Sequence, residues 1–194
     1  MASDDPFILV RYPIKFGFRR WTTRRKPDDG GKDWSMAAGA EFFRAGVGAV
    51  ITDGNGKILA LERSDIPGAW QMVQGGLEDG EEPMEGVLRE VEEETGILPS
   101  SVRLLDRYPE PLVYELPAAA RSPKTGRGQV QYWFLFELTG GGSAIDLGQS
   151  AEFRRWRWMR FCELIDLTVS FRAPTYRKLA DRFTILIAGK AGQS

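Results

Sequence analysis

The sequence predicts an α/β sandwich built on a mixed β-sheet, and three observations predict it. Short apolar segments of strand type interleave with two segments of helical character along most of the 194 residues, the pattern of a layered α/β body. One strand segment, "QVQYWFLFEL", alternates cleanly, with Val130, Tyr132, Phe134, Phe136 and Leu138 on one face, so it packs on the core. One helical segment, from about Pro83 to Thr95, carries Pro in its first turn and Gly96 just past its end.

Taken in order, residues 1 to 40 read as a basic extension that is ordered at most in part, and "KPDDGGKDWSMAAGAE" marks its loop-rich boundary. The domain proper is expected over residues 41–190. "AGVGAVIT", then "DGNG", then "KILALER" reads as strand, tight turn and strand, with Asn55-Gly56 supplying the turn chemistry. "WQMV" is a short strand running into Gly75-Gly76, ahead of the Pro83 helix. "SVRLLDRYP" and "LVYEL" are strands, "AARSPKTGRG" is a basic loop, and "FRRWRWM" is a further strand. "APTYRKLADRFTILIAG" reads as a C-terminal helix.

Net charge is −1, which favours no class of partner, but the charge is unevenly spread. Residues 11 to 26, "RYPIKFGFRRWTTRRK", contain no acid and form either a solvated basic arm or one that touches phosphates. A single cysteine, Cys162, excludes an internal disulfide and a multi-cysteine metal site. No apolar run approaches the roughly 18 to 20 residues of a membrane span, and "MASDD" is not the start of a secretory signal. A cytoplasmic location without a membrane is therefore expected, and no obligate protein partner is evident. Histidine is absent altogether, which excludes Ser-His and Cys-His nucleophile pairs. A general base must then be Glu, Asp, Lys, Tyr or a metal-activated water.

The acidic stretch "GGLEDGEEPMEGVLREVEEETG", Gly75 to Gly96, concentrates glutamates around one Arg. On a helical wheel Glu90, Glu93 and Glu94 lie on one face at i, i+3 and i+4. Met84, Val87, Leu88 and Val91 gather on the neighbouring arc, which must be buried, so the acidic stripe runs along the rim of the packed body. Like charges that close repel one another: either water solvates them or a cation sits among them. Their hard oxygens suit Mg²⁺ or Mn²⁺. Gly86, one turn before Glu90, either leaves room for a bulky ligand or is simply a tolerated helical Gly. Arg89 stands beside the stripe and is expected to hold a carboxylate in position rather than touch substrate.

The stretch resembles the Nudix box in full. From Gly75, five residues lead to Glu81, and seven more lead to "REVEEETGI", which sets Arg89, Glu90, Val91, Glu93, Glu94, Gly96 and Ile97 where the family has them. "FRAGVGAVI", "WQMVQGG", "GQVQYWFLFEL", "EFRRWRWM" and "VSFRAPTYRKLADRF" are similar to the subgroup of RNA 5′-pyrophosphohydrolases and dinucleoside polyphosphate hydrolases. One departure is Val73, where the subgroup usually has Pro. The resemblance covers roughly residues 42 to 183 and implies an α/β/α sandwich with a mixed β-sheet.

What the resemblance implies chemically is metal-dependent hydrolysis of a phosphoanhydride in a nucleoside diphosphate linked to another group. On that basis Glu90, Glu93, Glu94 and the Gly75 carbonyl ligate Mg²⁺ or Mn²⁺, and Glu152 of "EFRRWRW" is a further ligand or the general base. Glu81, Gly76 and Gly96 are expected to support the loop, with Glu81 also holding Arg89. Arg44 and Arg63 are expected to approach phosphates, and Val169, Ser170, Phe171 and Arg172 to hold the first bases of an RNA 5′ end, though Phe171 fits a core position equally; Tyr114, Gln129 and Gln131 beside the basic loop are further substrate-side candidates. The implied substrate is 5′-triphosphorylated RNA or a dinucleoside polyphosphate. The alternatives are a small-nucleotide or NDP-sugar pyrophosphatase and a non-catalytic nucleotide- or RNA-binding module.

Overall fold

The computed structural model describes residues 42–123, 125–139 and 145–188. The extension expected over residues 1–40, its basic run at 11–26 and position 124 of the basic loop lie outside them.

Eight strands and three α-helices form the described body: β1 Phe43–Thr52, β2 Ile58–Arg63, β3 Trp70–Gln71, β4 Val73–Gly76, α1 Pro83–Thr95, β5 Val102–Arg107, β6 Leu112–Glu115, β7 Gly128–Leu138, β8 Phe153–Met159, α2 Phe161–Leu167 and α3 Ala173–Ala188. The main sheet path runs β3-β2-β1-β7-β5, with β4 on β1, β6 on β7 and β8 on β2. β1 and β7 are parallel, Phe43 opposite Gly128 through Thr52 opposite Glu137, and the other pairings are antiparallel. The sheet is therefore mixed.

Apolar side chains leave both faces of this sheet. Val47, Ala49, Ile51, Phe134 and Phe136 pack with Val87 and Val91 of α1. Val50, Trp133 and Leu135 pack on the other face with Leu164 of α2 and Tyr176, Leu179 and Phe183 of α3. Helices cover both sides, giving the α/β/α sandwich. The one-face reading of β7 is corrected here. Trp133 and Leu135 are as buried as Phe134 and Phe136, because helices cover this central strand on both faces.

The single strand expected at "WQMV" is two strands with different partners: β3 pairs with β2 and β4 with β1. Met72 lies between them, and its amide donates to the buried Tyr176 hydroxyl at 3.1 Å, so the break leaves no orphan donor. Desolvation raises the Tyr176 phenol to about 12, which keeps it a neutral partner for that amide. Val73 lies within the ladder opposite Ala49. The structure also adds α2, a helix the sequence reading lacked.

Helix α1 ends as its sequence predicts. Gly96 adopts φ 68°, a left-handed conformation that disfavours a Cβ, and its N–H donates to the Glu92 carbonyl at 2.8 Å.

Between β2 and β8 the register shifts, so that Glu62 faces Arg155 and Arg63 faces Phe153, with Arg154 the extra residue of a bulge. Both arginines therefore reach one buried carboxylate: Glu62, 1% exposed, accepts from Arg154 Nη2 and Arg155 Nε at 2.6 Å each and from the Gly68 amide at 2.8 Å. These bonds, the arginines first, hold the Glu62 pKa far below the ordinary carboxylate range. A depressed folded-state pKa contributes stability above the unfolded value, and that stability is lost as pH falls through the folded one. Glu62→Ala is accordingly expected to lower Tm by several degrees at pH 7, because it strands two arginines at the sheet edge. The deficit should shrink on acidification, as followed by circular dichroism melts across the acid range.

Candidate active site

Packing of α1 sets the depth of each glutamate. Val87 and Val91 are fully buried against β1 and β7, which rolls the acidic stripe toward β4. Glu94 ends up 7% exposed and the Glu90 side chain 13%, while the Glu93 side chain is 60% exposed. The stripe read on the wheel is thus graded from interior to solvent. Glu94 receives one long bond, from the Gln74 amide at 3.3 Å. Burial pushes its pKa well up, and the charges of Glu90 and Glu152 push the same way. Burial also raises Glu90, against the opposing pull of Arg89.

Arg89 ties the box together. Its Nε and Nη2 take both oxygens of Glu81 at 2.8 and 3.0 Å, its Nη1 donates to Glu90 at 2.9 Å and to Glu93 at 3.2 Å, and Nη2 donates to the Gly76 carbonyl at 3.0 Å. Glu81 also accepts from the Glu78 amide at 2.9 Å, and the Arg89 bonds followed by this one bring its pKa down to about 2. The guanidinium stays charged, its pKa raised by Glu81 first and Glu90 next.

Gly75 of β4 lies directly under Glu90. A Cβ there would stand 1.9 Å from the Glu90 carboxyl carbon and 2.0 and 2.1 Å from its oxygens. Gly86 is different from either reading given it. A Cβ there would meet Leu77 at 2.6 Å and Glu81 at 2.9 Å, so the side-chain-free spot is filled by neighbours and leaves no room for a ligand.

Glu152 comes from far along the chain. It precedes β8, its carbonyl accepts from the Ser64 amide at 2.8 Å, and it lines a cavity of about 300 Å³ together with Glu90, Glu93, Glu94, Ser150 and Ala151. Four carboxylates on three levels of burial thus face one space.

Among the described residues no three acidic or cysteine side chains are already drawn tightly enough together to hold an ion. The expected convergence of Glu90, Glu93 and Glu94 is corrected to that extent: like charges separate, and Arg89 takes two of them. The donor set nevertheless fits a hard divalent cation. Buried Glu94 has one long amide bond against its charge, and the side-chain polar atoms that share its cavity are the carboxylate oxygens of Glu90, Glu93 and Glu152 and the hydroxyl of Ser150.

The residues expected at the substrate side lie on several elements. Arg44 of β1 is half-buried, its guanidinium over Gly76, where a Cβ would stand 1.9 Å from Nη2. Arg63, at the end of β2, takes Asp65 with Nε at 2.8 Å and Nη2 at 2.6 Å, and Gln71 Oε1 with Nη1 at 3.2 Å. Gln71 Oε1 also accepts from Arg172 Nη1. Tyr114 of β6 donates to Gln129 at 2.8 Å and stacks on Phe171, ring centroids 5.9 Å apart and planes 29° apart. Phe171 belongs to neither core cluster, is half-buried, and has the Arg172 guanidinium 5.6 Å from its centroid. Val169 is half-buried and Ser170 exposed on the same segment before α3. Sequence reasoning missed Glu62, Asp65 and Gln71. Asp65 carried a local signal, two residues after Arg63, whereas the partners of Glu62 and Gln71 lie across the sheet.

A mixed sheet between helices, with a carboxylate-lined cavity beside the helix that carries the box, is an arrangement that fits a hydrolase of phosphoanhydride bonds. Comparison with known proteins agrees with this class. The NUDIX domain family model matches residues 42–179. The chain is 41% identical over 147 residues to an RNA pyrophosphohydrolase of Zymomonas mobilis, covering 73% of this chain and 95% of that protein. It is 35% identical to the chloroplastic Nudix hydrolase 26 of Arabidopsis thaliana, covering 77% and 73%. Its fold resembles a crystal structure of a C. elegans Ap4A hydrolase binary complex, with TM-score 0.57 and 22% identity, covering 75% of this chain and 98% of that one. It also resembles the E. coli dihydroneopterin triphosphate pyrophosphohydrolase, with TM-score 0.60 and 23% identity, covering 75% and 99%. The chain belongs to the Nudix family and is a pyrophosphohydrolase.

Proposed function

We propose that this enzyme removes pyrophosphate from an RNA 5′-triphosphate end or splits a dinucleoside polyphosphate. The observation that carries the reaction is the cavity shared by Glu90, Glu93, Glu94 and Glu152. The substrate class is supported by 41% identity to an RNA pyrophosphohydrolase across nearly its whole length.

In this reading Glu90, Glu93, Glu94 and the Gly75 carbonyl would hold Mg²⁺ or Mn²⁺. Such an ion, when bound, polarises phosphoryl oxygens and lowers the pKa of water. The chain's own groups do the rest. Arg89 anchors Glu90 and Glu93, with Glu81 fixing Arg89 from behind. Gly76 and Gly96 shape the loop and the helix end. Arg44 and Arg63 orient the polyphosphate through charge-assisted bonds. Glu152, exposed at the cavity mouth, accepts the proton of the attacking water, since no histidine exists to do so. Tyr114, Val169, Ser170 and Phe171 hold the first base, an aromatic platform that tolerates any base. The catalytic domain occupies residues 41–190, residues 1–40 are a basic extension, and the protein acts in the cytoplasm. Among the described residues no helix is long and apolar enough to cross a membrane.

The test is a panel of 5′-triphosphorylated oligoribonucleotide, diadenosine tetraphosphate, free nucleoside triphosphates and an NDP-sugar, each with magnesium and with EDTA. One of the first two should lead by kcat/KM, and chelation should reduce every rate to background. A lead by free nucleotides or the NDP-sugar would make this a small-nucleotide enzyme, and turnover in EDTA would remove the metal from the mechanism.

A further inference from the structure

A second cavity, of about 290 Å³, is lined by Arg63, Ser64, Asp65, Ala151 and Glu152, and it adjoins the first through Ala151 and Glu152, which line both. Among the side chains that line the two, Arg63 carries the one positive charge, against five carboxylates. An anion entering this space has Arg63 as its cationic partner on the wall. Yet that guanidinium is engaged: Asp65 takes Nε and Nη2 together, along one edge of the fork. A phosphate binds arginine in the same two-bond geometry, so Asp65 and a phosphate compete for one edge.

We propose that this second cavity receives the phosphate end that leaves, a pyrophosphate in the reaction on RNA, and that Asp65 is its built-in competitor for Arg63. The inference rests on the reaction proposed above. Three features support it. The Asp65 side chain is 60% exposed and the Arg63 side chain 25%, so Asp65 can swing into water while Arg63 stays in the wall. The backbone around them is pinned, Ser64 N to the Glu152 carbonyl at 2.8 Å and Gly68 N to Glu62 at 2.8 Å, so the exchange needs only a side-chain rotation. Gln71 Oε1 accepts from Arg63 and from Arg172, so when Asp65 lets go, two guanidiniums remain on an uncharged bridge. Product binding at Arg63 is weakened by the cost of displacing Asp65, and product departure is helped by its return.

The experiment is a calorimetric titration of the full chain with inorganic pyrophosphate in magnesium buffer, run as a double-mutant cycle on Asp65→Asn and Arg63→Ala. Asp65→Asn is expected to tighten pyrophosphate binding by about 2- to 5-fold, the scale of a rim ion pair. The gain should vanish in the Arg63→Ala background, whereas general repulsion between Asp65 and an anion would persist there. An unchanged affinity in Asp65→Asn, a gain that survives Arg63→Ala, or no pyrophosphate binding by the parent chain would each overturn the proposal. If RNA and dinucleotide substrates go uncleaved while the cycle behaves as expected, the reaction assignment falls and the anion site stands.

Discussion

Replacing Glu93 by Gln is expected to lower kcat by about 10²-fold or more, beyond the roughly 10- to 100-fold typical of losing a group that only supports a metal ligand, while leaving the fold intact. The two effects separate because of where the residue sits. Its side chain is 60% exposed and its bond in the protein is to Arg89 Nη1 at 3.2 Å, which a glutamine oxygen can also accept. Surface substitutions of this kind change stability by about 0.5 kcal/mol or less. Tm measured beside kcat for RNA or dinucleotide hydrolysis checks both halves. A variant that melts like the parent and turns over at the parental rate would remove Glu93 from the chemistry. The same substitution at Glu94 is less diagnostic, since that residue is buried and its loss would mix packing with catalysis.

Gly75→Ala is expected to cost about 10- to 10²-fold in kcat, on the scale seen when a group that orients a metal ligand is lost. The physical cause is local. The new methyl would overlap the Glu90 carboxylate at 1.9 to 2.1 Å. Glu90 is the flexible partner, so it must rotate away, abandoning its bond from Arg89 Nη1. Backbone strain is not involved, because Gly75 sits in a regular ladder opposite Val47. The variant should therefore fold, with a modest loss of Tm, and should fail to bind divalent metal as tightly as the parent in a titration. Parental activity in Gly75→Ala would show that Glu90 need not stand where it does.

How much of this was legible beforehand depended on the range of the interaction that decides it. Helix α1, its Pro83 start and its Gly96 end follow from local backbone chemistry, and the structure has them at those residues. The strands around it follow from alternation and turn residues. What failed were readings that needed a neighbour. The second buried face of β7 is created by α2 and α3. The break at Met72 is possible because Tyr176, 104 residues on, supplies an acceptor. The room imagined at Gly86 is taken by Leu77 and Glu81.

The sequence by itself determined that Glu90, Glu93 and Glu94 share a helical face with Arg89 beside them, because the helix period acts over one or two turns. Only the tertiary structure decided that Glu94 is buried and Glu93 exposed, that Glu152 opens onto the same cavity, and that Arg63 and Arg172 meet at Gln71. Depth of burial and partnership across a sheet depend on how whole elements pack, and the chain encodes that packing only through contacts between residues far apart.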